Sequence, residues 1–599
     1  MHELATTSAA CGSWLRLSTW VLAAALTACA TTAPPPASLP PPSAPVTVQA
    51  PMPAASAVTA PAPALPGSAP SAGLGPDPAI APADPLPYAA AVAARFPEPT
   101  VRYATPALQE RRAGFTSNDE IQAILRSLMR NPQAGDLPGV SLMSLGVSQQ
   151  GVPIEALLFS RGSDVSPGGL QRAGRPTVLL VGQQHGDEPA GAEALLVIAR
   201  SLASGPLQAL LDRINVIVLP RANPDGALVG ARETANGIDA NRDHLLLRTA
   251  EAQAQARLTR MYQPAVIVDA HEYSVIGRYL AKFGAIQRYD ALLQYAMTAN
   301  VPEFISKAAE EWFRQPIEAS LKAEGLTSQW YYTTSMDLSD RRVSMGGTNP
   351  DTGRNVNGLK NAVSILIESR GVGIGRTHLA RRVHTHVVAI GSVLRSTAER
   401  AADLGKLRGF VESEVSSLAC QGEVVVQAAT TPSEYTLLML DPLTGADKPV
   451  PVAWESALAL RTVRARSRPC GYWLGAEQVD ALRRLRELGV QVQQVQETGV
   501  VRGEVYQEIM REVTARQDVR GSSAAAGTVI QVQVETLPAL LDVPAGSWYV
   551  PLDQPLANIA VAALEPDTQS SYFASGIVTD LGRLARALAR PRMRLSVAP

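Results

Sequence analysis

The sequence predicts an α/β protein whose central sheet is covered by helices on both faces. Two observations lead there. Four short runs, TVLLVG (177 to 182), INVIVLP (214 to 220), AVIVDA (265 to 270) and VSILIES (363 to 369), are rich in Val and Ile and apolar at nearly every position, as strands buried on both sides must be. They alternate with stretches of helical periodicity such as AGAEALLVIARSLA and FISKAAEEWFRQPIEASLKAEG, which is the rhythm of strand and crossover helix. Reactive residues in such domains sit where strands end and loops begin.

In chain order, the first element is an apolar run from Trp20 to Leu26, preceded by Arg16 and closed by Leu26-Thr27-Ala28-Cys29. It is too short to span a bilayer and reads as a signal peptide over residues 1–29. Its end resembles a bacterial lipobox, in which Cys29 takes a lipid and becomes the mature N-terminus. An ordinary secretory signal cut near Ala28 or Ala30 is the alternative. The expected location is the bacterial cell envelope, either lipid-anchored to a membrane facing the periplasm or soluble and exported. With Cys11 lost and Cys29 lipidated, Cys420 and Cys470 remain, to pair or to stay free in an oxidising compartment.

Residues 30–98 are dominated by Pro, Ala and Ser and lack the large apolar side chains that would offset chain ordering. They read as a disordered linker. FTSNDEIQAILRSLM (115 to 129) has apolar residues at helical spacing behind possible caps at Ser117, Asn118 and Asp119. SLMSLGVSQQGVPIEALLFSRG reads as strand, Gly-containing turn and strand. The alternating region carries on to residue 404, giving one domain over 99–404. From 405 to 599 the character changes. GEVVVQAA, YTLLMLD and GTVIQVQVETL read as strands, CGYWLGAEQVDALRRLRELGVQVQQV as a strand-helix-strand unit, and SWYVPLDQPLANIAVAAL follows. This is a smaller α/β or β-rich accessory region. Trp548 and Tyr549 within it either bind glycan or pack against the rest of the protein. A formal net charge of -1 over 599 residues gives no electrostatic pull toward nucleic acid.

The chain has seven histidines, and His185 and His271 fall at the C-terminal ends of predicted strands. In HGDE (185 to 188), His185 and Glu188 at i and i+3 bring two side chains to one point at the start of a helix. Alone, that spacing fits a solvated pair as well as a metal site. Further motifs follow in order: PRANPDG (220 to 226), Arg232, GIDANRDH (237 to 244), VDAHEY (268 to 273) and SILIESRG (364 to 371).

Together these motifs resemble the zinc carboxypeptidase family, the funnel-shaped pancreatic-type metallopeptidases and their bacterial relatives, over roughly residues 100 to 400. SLGVSQQGVPIEALLFS also looks like the early hairpin of that family. The resemblance implies a mixed central sheet and one Zn2+ held by His185, Glu188 and His271. Two imidazoles and one carboxylate leave a coordination position open for water, as a catalytic zinc requires. It implies Asp239 as the carboxylate behind the first histidine and Glu368 as the general base. It further implies Arg232 as the cation facing the developing oxyanion, and Asn241 and Arg242 as the grip on a terminal carboxylate. NPDG is read as a turn. His-Glu at 271 and 272 does not continue into a His-Glu-x-x-His motif, because Val275 occupies the second histidine's place. His384 and His386 are read as a solvated helix face. The family's substrate-covering tyrosine has no counterpart in SMGGTNPDTGRNVNGLKN, so either Arg354 or a neighbour such as Tyr331 or Tyr332 takes over.

The function these residues imply is hydrolysis of C-terminal peptide bonds in peptides or in peptidoglycan stem peptides. An amidase or deacylase, an endopeptidase on the same scaffold, and a non-catalytic envelope binding protein are the alternatives.

Overall fold

The structure is a computed structural model and describes residues 86–129, 140–518, 521–522 and 527–597. Cys11, Cys29, the signal and most of the linker lie outside the described residues. The strands of the first region are β1 (Ser141–Val147), β2 (Pro153–Phe159), β3 (Thr177–Gly182), β4 (Asn215–Leu219), β5 (Val266–Ser274), β6 (Ala291–Tyr295), β7 (Ser328–Trp330), β8 (Thr333–Thr334), β9 (Arg342–Ser344) and β10 (Val363–Val372). Eight of them form a mixed sheet in the order β1-β2-β4-β3-β5-β10-β6-β7. The β4, β3, β5 and β10 strands are parallel neighbours, while β1-β2, β2-β4 and β10-β6 are antiparallel.

The apolar runs are continuous because both sheet faces are dry. On β3, Val178 and Leu180 enter one hydrophobic cluster with Leu195 and Ile198 of the Pro189–Ser204 helix and Ile390 and Val393 of the Leu379–Glu399 helix. Leu179 and Val181 enter a second cluster with Ala254 and Leu258 of the Ala250–Tyr262 helix. The same alternation holds on β4, where Val216 and Val218 face the first cluster and Ile217 and Leu219 the second. This is the two-residue period of a strand expressed in a core with two faces.

The chain is already folded before residue 99. Ala90–Ala93 is a short helix, and Val92 and Phe96 are buried against Ile286 and Leu440. The region after 405 is built on two long hairpins. Strands Glu423–Leu440 and Asp447–Ser467 pair antiparallel, and β9 and β8 extend that sheet. Strands Gly499–Ala515 and Thr528–Val543 pair at one edge of a seven-stranded antiparallel sheet. The strand-helix-strand unit forms as Gly471–Leu474, Val479–Leu488 and Gln493–Val495. Leu245, Leu246, Val356 and Leu359 of the first region share one core with Tyr472, Leu482, Leu485 and Tyr572 of the second. Tyr549 is buried and its hydroxyl donates to the Cys470 carbonyl at 3.0 Å, so this aromatic residue packs inward. Among the described residues, no helix is long and apolar enough to cross a membrane.

Cys420 and Cys470 are disulfide-bonded, with Cα atoms 4.2 Å apart and a sequence separation of 50. The bridge joins the end of the Ala401–Ser417 helix to the start of the Gly471–Leu474 strand. Closing a loop of that length restricts the unfolded chain, so replacing both cysteines with serine is expected to lower stability by about 2–4 kcal/mol. A reduced midpoint in urea with an unchanged slope would register the loss.

Candidate metal centre

Strand β3 ends at Gly182, and the turn that follows carries Gln183, Gln184 and His185 before the Pro189–Ser204 helix begins. Glu188 is the residue immediately preceding that helix, with Pro189 in its first turn, where a fixed φ favours helix entry. His271 lies near the end of β5 and Glu368 near the end of β10. The two strands are parallel, and Glu368 is the register partner of His271. Paired residues on adjacent strands project to the same face, so the glutamate stands beside the histidine.

The three expected ligands converge. His185 Nδ1 is 2.8 Å from Glu188 Oε1, His271 Nδ1 is 2.8 Å from Glu188 Oε2, and the two Nδ1 atoms are 3.0 Å apart. All three residues are buried, and among the described residues they are the one group of histidine, cysteine or carboxylate side chains with metal-ligand spacing.

What stands behind the rings decides which nitrogens face inward as acceptors. His185 Nε2 is 3.1 Å from Asp239 Oδ1, and His271 Nε2 is 2.7 Å from Asp269 Oδ1. An ionised carboxylate only accepts, so each Nε2 donates and each Nδ1 turns a lone pair inward. Two imidazole lone pairs and a carboxylate packed this closely in a buried site repel one another unless a cation lies between them. The set is nitrogen and oxygen only, three protein ligands in all, which fits a catalytic zinc with an open position.

Asp239 serves two partners. Its Oδ2 accepts from Arg232 Nε at 3.0 Å and Nη2 at 2.8 Å. The third nitrogen of that fork, Nη1, reaches within 3.0 Å of His185 Nδ1 and 3.4 Å of Glu188 Oε1. The guanidinium expected to face an oxyanion is therefore docked against the ligand cluster. Burial opposes the charge of Asp239, yet Arg232, His185 and Arg242 keep its carboxyl well below the ordinary range.

Asn241 is buried. Its Oδ1 accepts from the Gly353 backbone at 2.8 Å and its Nδ2 lies 3.5 Å from Asp269 Oδ2. The neighbouring Arg242 lines a cavity of about 450 Å³ with Thr333, Thr348, Glu455, Gln517 and Gln569. Part of that wall comes from the region beyond residue 405. Arg354 is buried over the Tyr331 ring at 6.0 Å and donates to the Gly347 carbonyl at 3.2 Å. Burial pulls its pKa down to about 10, and Glu368 and Arg242 lie close enough to act on its charge. Tyr332 is packed among Tyr279 and Trp454, away from this cluster.

Several supporting residues were not anticipated. Asp269 precedes His271 by two residues on one strand, hence on the same face, and Gln184 Nε2 holds its Oδ1 at 2.7 Å. Glu272 adjoins His271 and so points to the opposite face. There its carboxylate accepts from Ala190 N at 2.9 Å, near the start of the helix after Glu188, and from Arg382 Nε at 2.7 Å. The alternation of β5 thus separates the His-Glu pair into a ligand and a buttress. Gly186 is back to back with Gly226. A Cβ on Gly186 would fall 1.9 Å from the Gly226 carbonyl carbon, so no side chain fits between the two turns. Asn223 ties them, accepting from Gly226 N at 2.9 Å and donating to the Gln184 carbonyl at 3.2 Å. NPDG is the turn expected of it.

The reading of His384 and His386 is corrected. Both are buried: His384 Nδ1 is 2.7 Å from the Tyr103 hydroxyl, and burial drives His386 down to about 3. The charged residues beside them were misleading. Arg381 and Arg382 point inward to Asp290 and Glu272 in buried ion pairs, so charge did not mark the solvent side of this helix.

If Asp269 fixes the ring of His271, Asp269→Asn is expected to weaken zinc affinity about 10–100-fold. Competition against a chelator of known affinity would measure this, and an unchanged affinity would remove Asp269 from the site.

A family model described as zinc carboxypeptidase matches residues 126–346, a span holding His185, Glu188, Arg232, Asp239, Asn241, Arg242 and His271. Carboxypeptidase 2 of Trichophyton equinum is 28% identical over 409 residues, covering 67% of this chain and 74% of that protein. Carboxypeptidase D of Mus musculus is 38% identical over 120 residues, 18% of this chain and 9% of that protein. A metallo-carboxypeptidase from Burkholderia cenocepacia aligns in structure over 47% of this chain and 69% of its own, at 16% identity and a TM-score of 0.35. The segment matched by the zinc carboxypeptidase model thus carries the whole His-Glu-His ligand set.

Proposed function

We propose that this protein is a zinc-dependent metallocarboxypeptidase that removes the C-terminal residue of peptides, and that its substrate pool in the bacterial envelope includes peptidoglycan stem peptides. The observation carrying this reading is the convergence of His185, Glu188 and His271 with Glu368 in register beside them. The envelope location rests on the expected signal and on Cys29, and the peptidoglycan substrate on that location.

When bound, zinc lowers the pKa of water toward about 7 and polarises a carbonyl oxygen. The remaining chemistry belongs to the chain. Glu368 takes the proton of the attacking water and passes it to the departing amine. It sits near the end of the buried strand β10, in register with His271. Arg232, aligned by Asp239, presents a guanidinium where negative charge grows on the former carbonyl oxygen. Arg242 supplies the planar fork for the terminal carboxylate. Asn241 ties that arginine's segment to Gly353 and to the carboxylate behind His271. Arg354 adds a buried cation whose charge is felt by the half-buried Arg242, in the stretch where the family's tyrosine is missing.

Glu368→Gln is expected to lower kcat by about 10²–10⁴ while elemental analysis still finds one zinc per chain. Full activity in that variant would overturn the mechanism. A peptide with a free C-terminus is expected to be cut at least about tenfold more efficiently than its amide, since the amide loses a charge-assisted pair. Equal rates would move the assignment to an endopeptidase or amidase.

A further inference from the structure

Asn241 and Arg242 stand on the support of the ligands. The Asn241 amide donates to Asp239 Oδ1 at 2.8 Å, the oxygen that also meets His185 Nε2. Behind this segment lies the turn from Asp351 to Gly353, joined to it on both sides of Arg242. The Asp351 carbonyl accepts from the His244 amide at 3.2 Å, and the Gly353 amide donates to Asn241 Oδ1 at 2.8 Å. The two segments fit closely, since a Cβ on Gly353 would fall 2.9 Å from the His244 ring. Thr352 then caps the Gly353–Leu359 helix, which carries Arg354, by accepting from the Asn355 amide at 3.3 Å. Where this turn sits therefore sets both the Arg242 segment and Arg354.

The turn is held from its far side by the region beyond residue 405. Arg516 follows the Gly499–Ala515 strand, and its Nη2 donates to Asp351 Oδ2 at 2.6 Å. The two side chains are only 3% and 4% exposed, so removing either one leaves the other buried without its charge partner. Arg511, earlier on the same strand, pairs with Glu508 of its own strand at the surface, where such a pair contributes little. Gln517 fixes the chain just after Arg516: its amide donates to Gln569 Oε1 at 3.2 Å, and its carbonyl accepts from Gln569 Nε2 at 2.6 Å. Asp351, Thr352, Gln517 and Gln569 all line the cavity that Arg242 lines.

We infer that Arg516 is a positioning residue for the grip on the substrate's terminal carboxylate: through Asp351 it fixes the turn on which the Arg242 segment and Arg354 rest. The inference rests on the carboxypeptidase reading above. The chain beyond residue 405 then completes the substrate site by holding it in shape, without touching the ligands.

The test uses the full-length zinc-loaded protein, the N-acetylated peptide it cuts fastest, and the C-terminal amide of that peptide. Arg516→Met is expected to raise KM for the free acid about tenfold, with kcat changed less than about twofold and zinc affinity unchanged. The preference for acid over amide in kcat/KM should fall by a similar factor of about ten. A merely structural role would reduce the folded fraction, lowering kcat for acid and amide together and leaving KM and the preference as they were, and that result overturns the assignment. Asp351→Asn, which keeps the shape of the side chain, is expected to repeat the rise in KM, and it carries the test if Arg516→Met does not fold. In the double variant the losses should not add, because either change alone already breaks the pair; additive losses overturn the pairing. If the unmodified protein cuts no peptide, the carboxypeptidase reading fails separately, and hydrogen exchange decides whether Arg516 sets these segments. Faster exchange in residues 241–244 and 351–355 of the variant, with residues 266–274 unchanged, upholds that role, and unchanged exchange in both segments overturns it.

Discussion

Everything at the centre of this molecule follows from two carboxylates that force two imidazoles to face each other. Asp239 and Asp269 each take the outer N–H of a histidine. The inner nitrogens are then left as acceptors, pressed against Glu188 in a dry site. The carboxylates are themselves held in place, Asp239 by the Arg232 fork and Asp269 by Gln184, so the two rings are oriented from behind. The protein holds this tension with ordinary means: a parallel pair of strands, a helix start and a fork of arginine.

The sheet translates sequence into this geometry through parity. Odd-numbered positions of β5 carry Ile267, Asp269 and His271 to one face, and even-numbered positions carry Val266, Val268 and Glu272 to the other. The register of β10 then sets Glu368 beside His271. The four apolar runs were legible because strands dry on both faces have to be apolar throughout, and all four form as read. The ligands were legible because each stands where such a run ends.

The support behind the ligands was harder to see. Asp269 lies inside an apolar run and reads as an interruption until the partner two positions on is known to be a ligand. Gly186 and Gly226 are forty residues apart, and only the folded chain shows that the backbone at Gly226 leaves no room for a side chain at 186. The Leu379–Glu399 helix misled for a related reason. Its arginines and histidines look like a wet surface, yet Asp290 and Glu272 meet them from other elements and make the burial possible. Sequence patterning reports what a segment prefers alone, and these residues are placed by partners that arrive from a distance.

The core shared between the first region and the chain beyond residue 405 has a consequence for how this protein lives and fails. Leu245, Leu246, Val356 and Leu359 rest on Tyr472, Leu485 and Tyr572, while Glu455, Gln517 and Gln569 wall the pocket of Arg242. A protease that trimmed the tail would strip a wall from the cavity that Arg242 lines and uncover greasy surface in the same stroke. Heating should accordingly melt both halves in a single transition, and a fragment ending at residue 404 would be a sticky remnant rather than a minimal enzyme.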